Sequence, residues 1–175
     1  MALILDPQNG ITYPDGTLMP SAPVSPTSPY RVLTNRMPAG AVLQVVSAAT
    51  NTNTSTTSSS FVAITNLTAS ITPTSSTSKI LVLVNMNIYG ASVNTEAVAT
   101  IYRAGADLTG GSGFADVYAG STDIIQQAPM VYLDSPATTS STTYAVYFKR
   151  TQGTATIQSS LRGTTNTITL MEIAQ

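Results

Sequence analysis

The sequence predicts an all-β protein: an antiparallel, jelly-roll-like β-sandwich of eight or nine strands over residues 41–175, preceded by an extended, proline-rich arm over residues 1–40. Three observations predict it. Hydroxyl-rich clusters repeatedly lead into short β-branched and aromatic runs, the strand-and-turn alternation of a sandwich or barrel. No segment makes a good helix. Seven of the ten prolines (Pro7, Pro14, Pro20, Pro23, Pro26, Pro29 and Pro38) fall before residue 41, and proline cannot donate to a sheet ladder.

The arm comes first. Such a segment runs extended and semi-rigid, yet Leu3, Ile4, Leu5, Ile11, Tyr13, Leu18 and Met19 make it too apolar to stand alone in water. It therefore needs a partner. Within it, Tyr13–Thr17 ("YPDGT") reads as a tight turn, Pro14 setting φ and Gly16 permitting a positive one. Residues 51–60, "NTNTSTTSSS", have the composition of a linker. Because similar clusters ("TPTSSTS", "SPATTSST", "RGTT") each precede a strand-like run, this stretch is expected to be the longest loop of one domain.

The strand Lys79–Tyr89 is the clearest. Period-two alternation puts Ile80, Val82, Val84, Met86 and Ile88 on one face, and Leu81 and Leu83 on the other before it turns polar at Asn85 and Asn87. Near the C-terminus Ile168 and Leu170 oppose Met171 and Ile173 in the same way. Apolar residues on both faces require burial against two surfaces, the second supplied by this chain or a neighbouring copy. Tyr144, Val146 and Phe148 alternate with Ala145, Tyr147 and Lys149, and Ala155 and Ile157 with Thr156 and Gln158. Residues 91–104 come nearest to a helix, but Val98, Thr100, Ile101 and Tyr102 favour strand and Gly105 closes the run. An immunoglobulin-like sandwich is the alternative topology.

Composition narrows the function. The chain is 42% hydrophobic and 9% charged, against about 25% charged in ordinary soluble proteins. A hydroxyl surface tolerates close packing on other protein surfaces with little dependence on salt. The net charge of −1, with scattered basic residues, argues against a nucleic-acid partner. Without Cys there are no disulfides or thiolate sites, and without Cys or His a catalytic triad lacks its usual base. "MALILDPQ" has no basic n-region, and the longest apolar run falls short of the about 20 residues that cross a bilayer. The expectation is an unexported chain without membrane insertion.

Two long segments carry a resemblance. Gly40–Val84, "GAVLQVVSAATNTNTSTTSSSFVAITNLTASITPTSSTSKILVLV", and Tyr132–Arg150 with Gly153–Ile173, "YLDSPATTSSTTYAVYFKR…GTATIQSSLRGTTNTITLMEI", resemble a C-terminal domain of tail-fibre and other virion proteins of tailed phages, especially those of aquatic bacteria. The upstream "GITYPDGTLMPSA" is similar to the I-x-F-x-D-G-T segment that often precedes it. The resemblance spans roughly residues 10–175 except Ala91–Gln127, where host-recognition loops of such proteins tend to diverge. It implies a homotrimeric β-sandwich head on an N-terminal attachment segment, located in the virion.

Chemistry is sparsely supplied. Asp107, Asp116 and Asp123 lie in "GADLTGGSGFADVYAGSTD"; a sugar-cleaving enzyme would need two of them about 5–10 Å apart. Turn-capping beside glycine is the preferred reading. Their spacing fits no calcium loop, so no metal and no cofactor is expected, apart from an ion on a symmetry axis needing one ligand per chain. "GGSG" at 110–113 lacks the context of a phosphate loop and reads as a flexible turn. The glycosylation patterns at Asn53 and Asn66 are near chance in so hydroxyl-rich a chain. Tyr89, Tyr102, Phe114, Tyr118 and Tyr132 offer faces for stacking on sugar or protein, with core packing the simpler role for two or three and Phe114 the one expected to be exposed. The functional expectation is a small homotrimeric tail or baseplate fibre, not an enzyme. Residues 1–38 are gripped by another virion protein and the head meets a host glycan or protein. The alternatives are a capsid decoration protein and, less favoured, a polysaccharide-cleaving enzyme.

Overall fold

The computed structural model describes residues 4–6, 10–12 and 37–175. Contacts divide the chain into two units, residues 1–36 and 37–175. In the first, β1 (Ile4–Asp6) and β2 (Gly10–Thr12) pair antiparallel with Leu5 opposite Ile11. A hairpin thus stands where a continuous extended strap was expected. Ile4, Leu5 and Ile11 favour strand. The Tyr13–Thr17 turn and the rest of the proline-spaced arm as far as Arg36 lie outside the described residues, and residues 37–40, expected to belong to the arm, are described with the second unit.

The second unit is built from β3 (Val42–Thr50), β4 (Thr54–Thr56), β5 (Val62–Ile71), β6 (Lys79–Asn85), β7 (Asn87–Gly90), β8 (Thr95–Arg103), β9 (Ala106–Asp107), β10 (Ala115–Ala119), β11 (Ile124–Gln127), β12 (Met130–Asp134), β13 (Thr142–Gln152), β14 (Ile157–Ser159) and β15 (Asn166–Ile173). Among the described residues the only helical element is a 3-10 turn at Leu161–Gly163. Every pairing is antiparallel. One layer runs β12-β6-β15-β3 and repeats as β11-β7-β14-β4, so the same four strands are each interrupted once; the other runs β10-β8-β13-β5, with β9 also beside β8. Counting interrupted strands once gives eight strands in two four-stranded layers, with the order of a jelly roll. Residues 91–104, read as strand, form β8.

Residues 51–60 are more than a loop, because Thr54–Thr56 is an edge strand paired with β14. Hydroxyl side chains make this possible. Thr54 Oγ1 accepts the Thr65 N–H at 2.9 Å, and Asn53 Nδ2 donates to Gln158 Oε1 at 3.0 Å. Thr56 and Ser58 Oγ atoms take the N–H groups of Ser58 and Ser60 at 3.0 and 2.9 Å. Local hydroxyl-to-backbone bonds satisfy the chain where apolar burial is scarce.

The core follows the period-two parity. Ile80, Val82, Val84, Met86, Ile88, Ile168 and Leu170 from one layer meet Leu67, Ile71, Ile101, Tyr144, Val146 and Phe148 from the other, all buried. At the interruption of the first layer, Asn87 faces outward yet is buried, because residues 160–165 fold over it. Its Nδ2 donates to Thr164 Oγ1 at 2.6 Å, while Asn166 Nδ2 donates to Ser160 Oγ at 2.9 Å.

In this antiparallel order the connections alternate between two ends. Residues 37–41, 72–78, 135–141 and the C-terminus share one, the junction end; 57–61, 91–94, 120–123 and 153–156 share the distal end. Gly40 N–H donates to Ala174 O and Ala174 N–H to Ala41 O, both at 2.9 Å, fastening the first residues of the head to its last strand.

Candidate interaction surfaces

The inner row at the junction end is polar at three of its four positions. Register aligns Asp134, Ile80, Glu172 and Gln44 across β12, β6, β15 and β3, and both carboxylates are buried. Asp134 accepts from Arg103 Nη1 at 2.8 and 2.9 Å and from the Tyr144 hydroxyl at 2.6 Å, joining one layer to the other. Burial, then the bond to Asp134, pushes the Tyr144 hydroxyl far up. Glu172 Oε1 accepts from the Thr74 N–H and Oγ1, both at 2.7 Å, and Oε2 from Gln44 Nε2 at 2.6 Å, so it pins the 72–78 connection over the end of the sandwich. Burial alone would raise this carboxyl; the donors around it outweigh burial and hold it below its usual value. Fully occupied and enclosed, these carboxylates close the core and offer nothing to a substrate. Sequence reasoning passed over both, although parity with Met130 and Tyr132, and with Ile168 and Leu170, already placed them inward.

The structure does not bring Asp107, Asp116 and Asp123 together on a shared set of partners. Asp107 Oδ1 accepts from Thr100 Oγ1 at 2.7 Å and from the Thr109 N–H and Oγ1 at 3.1 and 3.0 Å, while Oδ2 accepts the Gly111 N–H at 2.6 Å. Burial would raise its carboxyl, but these donors lower it. The Gly-rich loop is thereby pinned, where a flexible turn was expected. Gly113 shows why glycine is needed: φ is +85° and a Cβ would lie 2.1 Å from Val98 Cγ1. Asp116 stands on the outer face of β10, raised by partial burial and by the hydrogen bond and charge of Glu96. Asp123, with φ of 59°, accepts from the Tyr89 hydroxyl at the distal end, and that bond is the main reason the hydroxyl is raised. Among the described residues no three Asp, Glu, His or Cys side chains converge to hold a metal ion.

Phe114 is half-buried against the core, its ring centroid 5.0 Å from that of Tyr132, so the expectation that it is exposed is corrected. Its N–H donates to Ala99 O at 2.8 Å, extending the β10–β8 ladder by one residue. Tyr118 is exposed instead, and its hydroxyl donates to Asn94 Oδ1 at 2.6 Å. Tyr102 stacks on Tyr147 at 3.9 Å, Phe61 meets Tyr102 edge-on at 6.0 Å, and Lys149 Nζ lies 4.3 Å over the Phe61 ring. This half-buried cluster on the outside of the five-stranded sheet is satisfied by its own members.

The least satisfied surface is the outer face of β12-β6-β15-β3. Register lines up Leu133, Leu81, Met171 and Val45 across all four strands, with Val131, Leu83, Thr169 and Ser47 in the adjacent row. Val131, Val45 and Leu133 are 65%, 55% and 48% exposed, and Val42 near the strand ends is 47% exposed. Here are the second faces of β6 and β15 that the sequence marked for burial. Ser47 and Thr169 share a 3.0 Å hydroxyl pair, and the charged residue of these rows' neighbourhood is Lys79, opposite Ile173. The distal end adds a smaller apolar tip, with Val93 46% and Tyr118 47% exposed.

A scan against protein-family models found no match, and a search of curated proteins found no relative.

Proposed function

We propose that the chain is a phage virion structural protein: a small homotrimeric tail or baseplate fibre that is held to the particle through residues 1–38 and presents its jelly-roll head to the host surface. The phage identity and the trimer rest on the resemblance of residues 10–175 to tail-fibre domains. The observation that supports the reading is the polarity of the head. Its first and last residues are fastened together at one end by the Gly40–Ala174–Ala41 hydrogen bonds, which leaves the opposite end, with exposed Val93 and Tyr118, free for contact. A tether at one end and a contact surface at the other is what adsorption requires. Binding then proceeds by shape and many weak contacts, and several linked copies raise avidity by about 10²–10⁴ without new chemistry.

Purified particles test this. Densitometry against the major capsid protein should show few copies per particle, and deletion of the gene should abolish adsorption to cells. Hundreds of copies, with particles that leak DNA under stress, would identify a capsid decoration protein instead.

A further inference from the structure

We infer that the outer face of β12-β6-β15-β3 is where copies of this chain bury themselves against one another, with the row Leu133–Leu81–Met171–Val45 at the centre of the contact. The inference rests on the assembly reading above and specifies its surface.

Three observations select a second copy as the occupant. The first is area. Four strands about 4.8 Å apart and three rows about 6.8 Å apart give a footprint on the order of 400 Å², roughly half of the about 800 Å² that each side of a standard interface buries. An apolar patch bordered by polar side chains has the anatomy of a specific protein contact; within this footprint Ser47 and Thr169 on one side and Lys79 on the other are the polar members. The second is charge. Lys79 is the ionised residue in these rows, so the face has little with which to steer a foreign partner; a chain of net charge −1 brings little repulsion to its own copies. The third is shape. Every copy carries the same four-stranded face, so copies related by a rotation axis can each turn it toward that axis and bury it against the others. The outside of the five-stranded sheet lacks this character: it carries Asp116, Glu96 and Lys149, and its aromatic rings contact one another.

The experiment compares the full chain with Val131→Glu/Leu133→Glu, with Val45→Lys, and with Thr143→Glu on the opposite sheet. All of these positions are exposed, so the substitutions leave the monomer core intact. Light scattering after size exclusion should give the wild type and Thr143→Glu the mass of an oligomer, threefold that of one chain if it is the trimer. The Val131/Leu133 double variant and Val45→Lys should fall to one chain with an unchanged circular-dichroism spectrum. Because the chain has no cysteine, Val131→Cys gives an independent measurement that needs no disruption. Its thiol should react with a soluble reagent at least tenfold more slowly than that of Ser70→Cys. A monomeric wild type, an oligomer unaffected by the substitutions, or equal thiol reactivity would overturn the inference. An oligomer indifferent to these residues would leave the fibre reading standing, whereas face-dependent oligomers that never enter particles would sink the fibre reading alone.

Discussion

Glu172 is a carboxylate with no exposed surface, held by Gln44 and Thr74 at 2.6 to 2.7 Å. Its folded value is held below its unfolded one, the donors around it outweighing burial, which fixes the sign of its pH dependence. The stabilisation is complete above the unfolded value and is lost as pH falls through the folded one. Glu172→Gln should therefore cost about 1–3 kcal/mol at pH 7, and the gap in urea midpoints should narrow toward pH 3. A gap independent of pH would mean that the carboxylate's charge is not what holds the 72–78 connection. The residue was legible beforehand: Ile168, Leu170 and Glu172 share a parity, and a charge on a core face must have donors. Which donors would arrive from 98 positions away was not legible, because Thr74 reaches it through a connection whose path the strands determine.

At the scale of elements, the turns show how one residue type serves two purposes. Gly153 (φ +82°) brings β13 round at the distal end so closely that a Cβ would lie 2.7 Å from Asn94 O. Gly110 (φ +64°) has nothing within 4 Å of the same position. Asparagine accepts positive φ at modest cost, so Gly110→Asn should shift stability by less than about 1 kcal/mol. Gly153→Asn should lose about 1–3 kcal/mol more, from overpacking against backbone. Equal urea midpoints for the two would show that the 91–94 and 153–156 connections give way more readily than their contact suggests. Strand identity was plain from alternation in β6, β13 and β15, and in β8 from its strand-forming residues. The edge strand β4 was not, because Thr54–Thr56 has the composition of its flanking loops and becomes strand only when β14 offers it a ladder. Phe114 was misjudged for a related reason: flanking glycine and alanine suggested exposure, while Tyr132, distant in sequence, offers its ring a packing partner.

At the scale of the molecule, the contact division at Arg36/Met37 makes the head a candidate for folding without the preceding segment. Residues 37–175 retain the 3.1 Å turn from Ala41 N–H to Pro38 O and the bonds to Ala174, and should unfold cooperatively with a urea midpoint close to that of the full chain. A large loss of stability would show that the first 36 residues belong to the core. The sequence by itself determined that this is a β-sandwich with a particular set of inward residues, because side-chain parity along a strand is a local property set by backbone geometry. It also marked β6 and β15 as apolar on both sides. The tertiary structure alone decided that these second faces, with Val45 and Val131, align into one uncovered surface, and that Asp107, Asp116 and Asp123 take separate partners. Cross-strand neighbours depend on strand order and register, which the balance of the whole fold settles and no short stretch of residues encodes.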